Sequence, residues 1–309
     1  MDFSERIKYE WNKSNNTLMR IVMINVALYL LFAAFILIAK LTNMAVIMEY
    51  TYKAFYLPPT FAELIYRPWT ILAYGFMHSI EGFNGILHIV FNMLVLYWFG
   101  QIVVSEIGSN RFLGLYIWGI LVGGVAFILL FNFIPFFAAQ KTMGLVGASA
   151  GVYAVVIAAG TLLPNVKMNL FIFGEVSLKW IALAYVILSF VLLAGGSNAG
   201  GDIAHLGGAA LGYLFIIQYK KGNDWSRPVV SFVTFFQNIF KRKPKMKAYK
   251  GGLGSGSKSD DANSQKQARA KKTAEEQNTI DAILDKISES GYESLTQKEK
   301  QILFQASKK

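Results

Sequence analysis

A few side chains could do chemistry inside an otherwise apolar sequence: Ser149, Asn92 and the three histidines, His78, His88 and His205. A serine hydroxyl attacks a carbonyl only when a neighbouring base takes its proton, and a neutral imidazole is the side chain suited to that near pH 7. Ser149 stands in Gly147-Ala-Ser-Ala-Gly151. Small neighbours let a substrate backbone approach, and amide N–H groups near a helix start stay open to an oxyanion. Gly147 and Gly151 also spell a GxxxG motif, so the segment reads equally as a helix contact. His205 precedes Gly208 and Gly212, which share its helical face and permit close approach of another helix. It is either a base for Ser149 or an interhelical hydrogen-bonding group. Asp202, just upstream, could orient that imidazole, but capping a helix start is the expectation. His88 and Asn92 lie on one helical face and are either oxyanion donors or interhelical ties. Tyr153, one turn beyond Ser149, could stack on His205 or simply pack.

These groups need elements to hold them, and the composition says which kind. Of the 309 residues, 54% are hydrophobic and 16% charged, against about 25% charged in soluble domains. Part of the chain is therefore dissolved in lipid. Crossing a bilayer takes about 20 apolar residues in a helix, and six stretches qualify: Ile21–Ala39, Gly85–Val104, Phe112–Phe133, Gly144–Leu163, Leu178–Ala194 and Ile203–Tyr219. The expected fold is an all-α polytopic membrane protein, a six-helix bundle with a structured first loop and a cytoplasmic C-terminal tail. With no cysteine in the chain, thiolate nucleophiles, disulfides and Cys-ligated metals are excluded, and nothing calls for a cofactor.

The net charge of +11 belongs to the tail: residues 1–219 carry 11 Lys/Arg and 9 Asp/Glu, residues 220–309 the other 19 and 10. That placement argues against nucleic acid and for a membrane-side anchor, with both termini cytoplasmic. The expected divisions are a cytoplasmic segment 1–20, the membrane domain 21–219, an interfacial and polybasic segment 220–250, a flexible linker 251–272 and a short helical tail 273–309. Within them, Val229–Phe240 should lie in the interface, with Lys241, Arg242 and Lys243 among the bases that follow. Thr296 and Glu299 have capping-box spacing, and Gly291 should stop the preceding helix. In the first loop, about 40–84, Tyr66-Arg67-Pro68-Trp69 pairs a snorkelling cation with an interfacial aromatic. Membrane lipids are the expected surroundings, a cytoplasmic protein is the expected partner of the tail, and a bacterial plasma membrane is the expected location.

With the amino terminus inside, the second, fourth and sixth spans all enter from the outer face. His88, Ser149 and His205 then fall at positions four, six and three of their spans, roughly 5–10 Å below the boundary. Three separate segments thus bring reactive groups to one depth. Here the pattern resembles the rhomboid family, over most of residues 60–219. The likeness rests on His88-Ile-Val-Phe-Asn92, on Gly147-Ala-Ser149 with Tyr153, on Ala204-His205 with Gly208 and Gly212, and on Glu106-Ile-Gly-Ser-Asn-Arg111-Phe-Leu entering the third span. The resemblance implies Ser149 as nucleophile and His205 as base, then acid, with no Asp required. It also implies His88, Asn92 and the Ser149 amide around the oxyanion, Tyr153 supporting His205, a half-embedded first loop, and lateral access gated by the fifth helix or the loop before it. Substrates would be single-span membrane proteins, cut near the outer end of their helix at small residues. One departure is Ala150, where the family usually has Gly; its methyl would crowd the oxyanion site while keeping the amide N–H.

Overall fold

The structure, a computed structural model, describes residues 2–13, 16–80, 82–138, 144–170, 174–196, 198–240, 279–287 and 294–306. It divides into two compact units, Met1–Lys243 and Pro244–Lys309. The first begins with α1 (Phe3–Asn12) and α2 (Thr17–Leu41), continues through the short helices α3 (Ala45–Phe55), α4 (Phe61–Tyr66) and α5 (Thr70–Ala73), and reaches α6 (Gly82–Ile107) and α7 (Ser109–Phe133). After them come α8 (Pro135–Ala138), α9 (Ser149–Leu162), a hairpin of β1 (Lys167–Leu170) and β2 (Gly174–Ser177), α10 (Leu178–Gly195), α11 (Ala199–Lys220) and α12 (Arg227–Phe240). Lipid offers the backbone no hydrogen-bond partners, so long apolar runs there must satisfy themselves as helices. Among the described residues, α2, α6, α7, α10 and α11 are long and apolar enough to cross a bilayer. The chain is an all-α, multi-pass integral membrane protein with a small hairpin between α9 and α10, an element that hydropathy does not foresee.

The fourth expected span differs. Gly144–Leu163 does not form one helix: α9 starts at Ser149 and has 14 residues, about 21 Å at 1.5 Å per residue. The residues before it run extended. Leu57 and Leu145 form an antiparallel bridge, N–H to carbonyl at 3.0 and 2.9 Å, and the Gly147 N–H donates to the Tyr74 carbonyl at 3.0 Å. Gly144 and Gly147 sit at φ +120° and +135°, a region costly to residues with a Cβ. These backbone angles and the strap to the first loop end the helix early. What remains is walled in by α6, α7, α10 and α11, and ten of its residues, from Ala150 to Gly160, are buried.

The first loop is built from α3, α4 and α5 rather than open chain. The Arg67 guanidinium donates to the Lys53 carbonyl and pairs with Glu63, and the Trp69 indole N–H donates to the Ala54 carbonyl at 2.8 Å. Both side chains tie α3 to the α4–α5 segment. At the opposite end, Arg111 Nε donates to Asp224 Oδ2 at 3.1 Å, the Trp118 indole N–H donates to the Trp225 carbonyl at 2.8 Å, and Ser226 packs on Gly114. The start of α12 is thereby docked on α7, while Phe232, Phe235, Phe236 and Ile239 of α12 stay exposed.

The Asp224 clasp carries a pH signature. Burial by itself raises the Asp224 carboxyl, but hydrogen bonds from Ser226 and Arg111 outweigh it and hold the group below its ordinary 3.8. A carboxyl that is more acidic folded than unfolded contributes its full stabilisation above the unfolded pKa and loses it as pH falls through the folded one. Thermal unfolding in detergent should therefore show Asp224→Asn less stable near neutral pH. The gap should close below about pH 4. Arg111 is 41% exposed, so solvent screening limits the difference to under about 1 kcal/mol.

In the second unit, a helix at 279–287 is followed by α14 (Gln297–Ala306), making the former α13. The Thr296 N–H donates to Glu299 Oε2 at 2.7 Å and the Glu299 N–H to Thr296 Oγ1 at 3.4 Å, a reciprocal capping box. Lys286 reaches the same carboxylate at 3.0 Å. The bases at 241–250, the linker and Gly291 lie outside the described residues.

Candidate active site

Ser149 is the first residue of α9, and His205 and His88 each stand seventh in α11 and α6. Their places in the helices therefore differ from the expected sixth, third and fourth. The cause is local: α9 starts later than the apolar run, whereas α6 and α11 start earlier, at Gly82 and Ala199. The geometry nonetheless brings Ser149 and His205 together, with Oγ and Nε2 separated by 2.8 Å. A helix that begins at Ser149 leaves its first amides without intrahelical acceptors; Val152 is the first residue whose N–H reaches back, to the Ala148 carbonyl.

Tyr153 lies flat on the His205 imidazole, ring centroids 4.2 Å apart and planes inclined by 8°. Gly208 and Gly212 face α9 so closely that a Cβ would sit 2.1 Å from the Ala150 carbonyl oxygen and 2.3 Å from that of Ala154. His88 comes beside the serine turn: a Cβ on Gly147 would lie 3.1 Å from His88 Cε1 and 3.6 Å from Ser149 Oγ. Asn92 is buried and spends one N–H on the His88 carbonyl at 2.8 Å, which leaves a second for another acceptor. The Ala150 methyl turns away to α7, where Gly123 makes room for it: a Cβ there would stand 2.5 Å from that methyl. A methyl at this position thus packs between helices.

Asp202 does not cap α11, because the helix starts earlier and Asn198 occupies the cap position. Its carboxylate is 3.8 Å from His205 Nδ1, beyond hydrogen-bond reach, and Oδ2 is buried without a partner among the described residues. The group within hydrogen-bond distance of that nitrogen is instead the Ser189 hydroxyl on α10, at 3.3 Å, and the same hydroxyl lies 2.9 Å from the Tyr153 hydroxyl. Sequence reasoning passed over Ser189; its signal was a hydroxyl within an apolar span. His78, the remaining histidine, is buried and meets His88 edge to face at 5.5 Å, with neither ring nitrogen hydrogen-bonded among the described residues.

Comparison with known proteins agrees with this architecture. Presenilin-associated rhomboid-like protein A, mitochondrial, of Danio rerio is 31% identical over 164 residues, 52% of this chain and 41% of that protein. RHOMBOID-like protein 12, mitochondrial, of Arabidopsis thaliana is 29% identical over 164 residues, 50% and 47% of the two chains. Rhomboid protein 1, mitochondrial, of Saccharomyces cerevisiae is 31% identical over 130 residues, 41% and 36%. The chain spans less than half the length of each of these relatives. Residues 264–309 match a family of unknown function. A profile of the Rhomboid domain matches residues 66–221, half of the chain and all of α6 to α11, and the protein belongs to that family.

Proposed function

We propose that this protein is a serine endopeptidase that hydrolyses peptide bonds within the membrane. The observation that carries the reading is the 2.8 Å contact between Ser149 Oγ and His205 Nε2. In the proposed reaction His205 Nε2 accepts the Ser149 proton as Oγ adds to the substrate carbonyl. The tetrahedral oxyanion is met by the Ser149 amide, His88 and Asn92. Collapse expels the amine, which takes the proton from His205, and leaves an acyl-serine. Water, deprotonated by His205, then releases the acid and restores the hydroxyl. Preorganised donors of this kind are each worth about 10²–10³ in rate.

The substrates proposed are single-span membrane proteins, cut near the outer end of their helix, with both termini of the enzyme in the cytoplasm of a bacterial cell. Support for the orientation is the excess of basic residues in the amino-terminal segment and tail. The bundle of six spans includes α9 as its fourth, shielded from lipid by its neighbours. The reading is tested by incubating the purified chain with a panel of tagged single-span proteins beside a Ser149→Ala control, and by labelling both with a fluorophosphonate. Serine-dependent cleavage and labelling are expected; labelling that persists in Ser149→Ala would refute the assignment. The tail is proposed as an appendage that recruits a cytoplasmic partner. Truncation after Lys250 should leave cleavage in detergent within about twofold of the full chain, whereas complete loss would give the tail a catalytic duty.

A further inference from the structure

Ser189 is held in a way that packing alone does not explain. A hydroxyl in an apolar helix usually returns to the carbonyl four residues back, as Thr42, Thr51 and Thr161 do here. Ser189 does not. It is fully buried, on the face of α10 that also buries Leu178, Ile181 and Ala182, and it reaches across to two other helices. Its Oγ stands 3.3 Å from His205 Nδ1 on α11 and 2.9 Å from the Tyr153 hydroxyl on α9.

The proposed base role sets the order of protons along this line. A base at Nε2 carries its N–H at Nδ1, so Ser189 Oγ accepts from that N–H and spends its own proton on the Tyr153 hydroxyl. A neutral imidazole protonated at Nδ1 presents a bare lone pair at Nε2, and that nitrogen is the one 2.8 Å from Ser149 Oγ. The other tautomer would set an N–H against Ser149 and could accept no proton. Asp202 competes poorly for the same task, since its nearest oxygen is 3.8 Å away.

Resting on the protease reading, we propose that Ser189 is a positioning residue that fixes His205 in the tautomer able to act as base, in the place an acid would take in a triad. Because Ser189 rides on α10, the base is correctly protonated only while that helix is packed on α9 and α11. An outward movement of α10 therefore releases the imidazole as well as opening the bundle.

The test uses the intact chain in detergent. With three histidines in the sequence, ¹⁵N-histidine spectra can be assigned by single substitutions, and ring shifts report the tautomer directly. In Ser189→Ala the His205 signals should move toward a tautomer mixture. The kcat for a tagged single-span substrate should fall about tenfold with KM unchanged, a fraction of the ~10²–10⁴ of general base catalysis. Ser189→Thr should restore both readouts, and Tyr153→Phe on a Ser189→Ala background should add little. Asp202→Asn should leave the His205 signals in place. Unchanged His205 signals in Ser189→Ala overturn the proposal, as does a shift produced by Asp202→Asn alone. The spectra do not depend on turnover, so a wild type that shows the expected shifts but cleaves nothing refutes the protease reading and leaves the positioning role intact.

Discussion

Cleavage by Ser149→Ala and by His205→Ala is expected to fall at least ~10⁴-fold below the wild-type rate, with the double variant no slower than either single one. In the proposed mechanism the two groups act as one unit. Without the imidazole the hydroxyl keeps its proton, and without the hydroxyl the imidazole has nothing to deprotonate. Additive losses would mean that they work separately. Ser149→Ala should keep the fold, because it removes a single hydrogen bond of 2.8 Å whose net worth is about 1 kcal/mol; His205→Ala also gives up the Ser189 contact and the Tyr153 stack and should unfold earlier. Initial rates on a tagged single-span substrate, read beside thermal unfolding of the same preparations, separate catalysis from folding. EDTA should leave the wild-type rate unchanged. A variant at either position that still turns over at a tenth of the wild-type rate would end the dyad account.

Gly208→Val should be the most damaging substitution to the bundle itself. Its first side-chain atom would stand 2.1 Å from the Ala150 carbonyl oxygen, a backbone atom that cannot swing aside. Either α11 moves from α9 or α9 shifts in its sleeve, and overpacking of this kind costs about 3 kcal/mol. Gly208 lies one turn past His205, and Ala150 is adjacent to Ser149, so any widening opens the Ser149–His205 contact directly. The midpoint of thermal unfolding and the cleavage rate should therefore fall together. Leu214→Ala on the same helix is the control: that side chain is 47% exposed, and its loss should alter neither. Gly212→Val should resemble Gly208→Val in stability, since its Cβ would meet the Ala154 carbonyl oxygen at 2.3 Å.

Hydropathy was enough to find α2, α6, α7, α10 and α11, because burial in lipid imposes one requirement on a whole span. It could not place the start of α9. Gly144 to Gly147 are as apolar as the helix that follows, and only the strap to Leu57 and Tyr74 reveals that they lie outside it. The same blindness affected Asp202. Ala199-Gly-Gly carries no hydrophobic signal, so the first turn of α11 went unseen and the cap was assigned too late. His88 with Asn92, and His205 with Gly208 and Gly212, were legible because helical spacing puts each set on one face. Ser189 was not. In a helix apolar on every side, periodicity cannot tell which way a hydroxyl points, and its meaning depends on Tyr153 and His205, which arrive from two other segments.

The brevity of α9 bears on how the enzyme is made. A segment reaching about 21 Å falls short of ~30 Å of hydrocarbon, so it has no comfortable resting state in bare lipid. During synthesis it must wait for α10 and α11, which supply its remaining walls. His205 arrives with the last of these. On the proposed mechanism, a half-finished chain holds a nucleophile with no base beside it, and proteolytic power would appear only when assembly is complete.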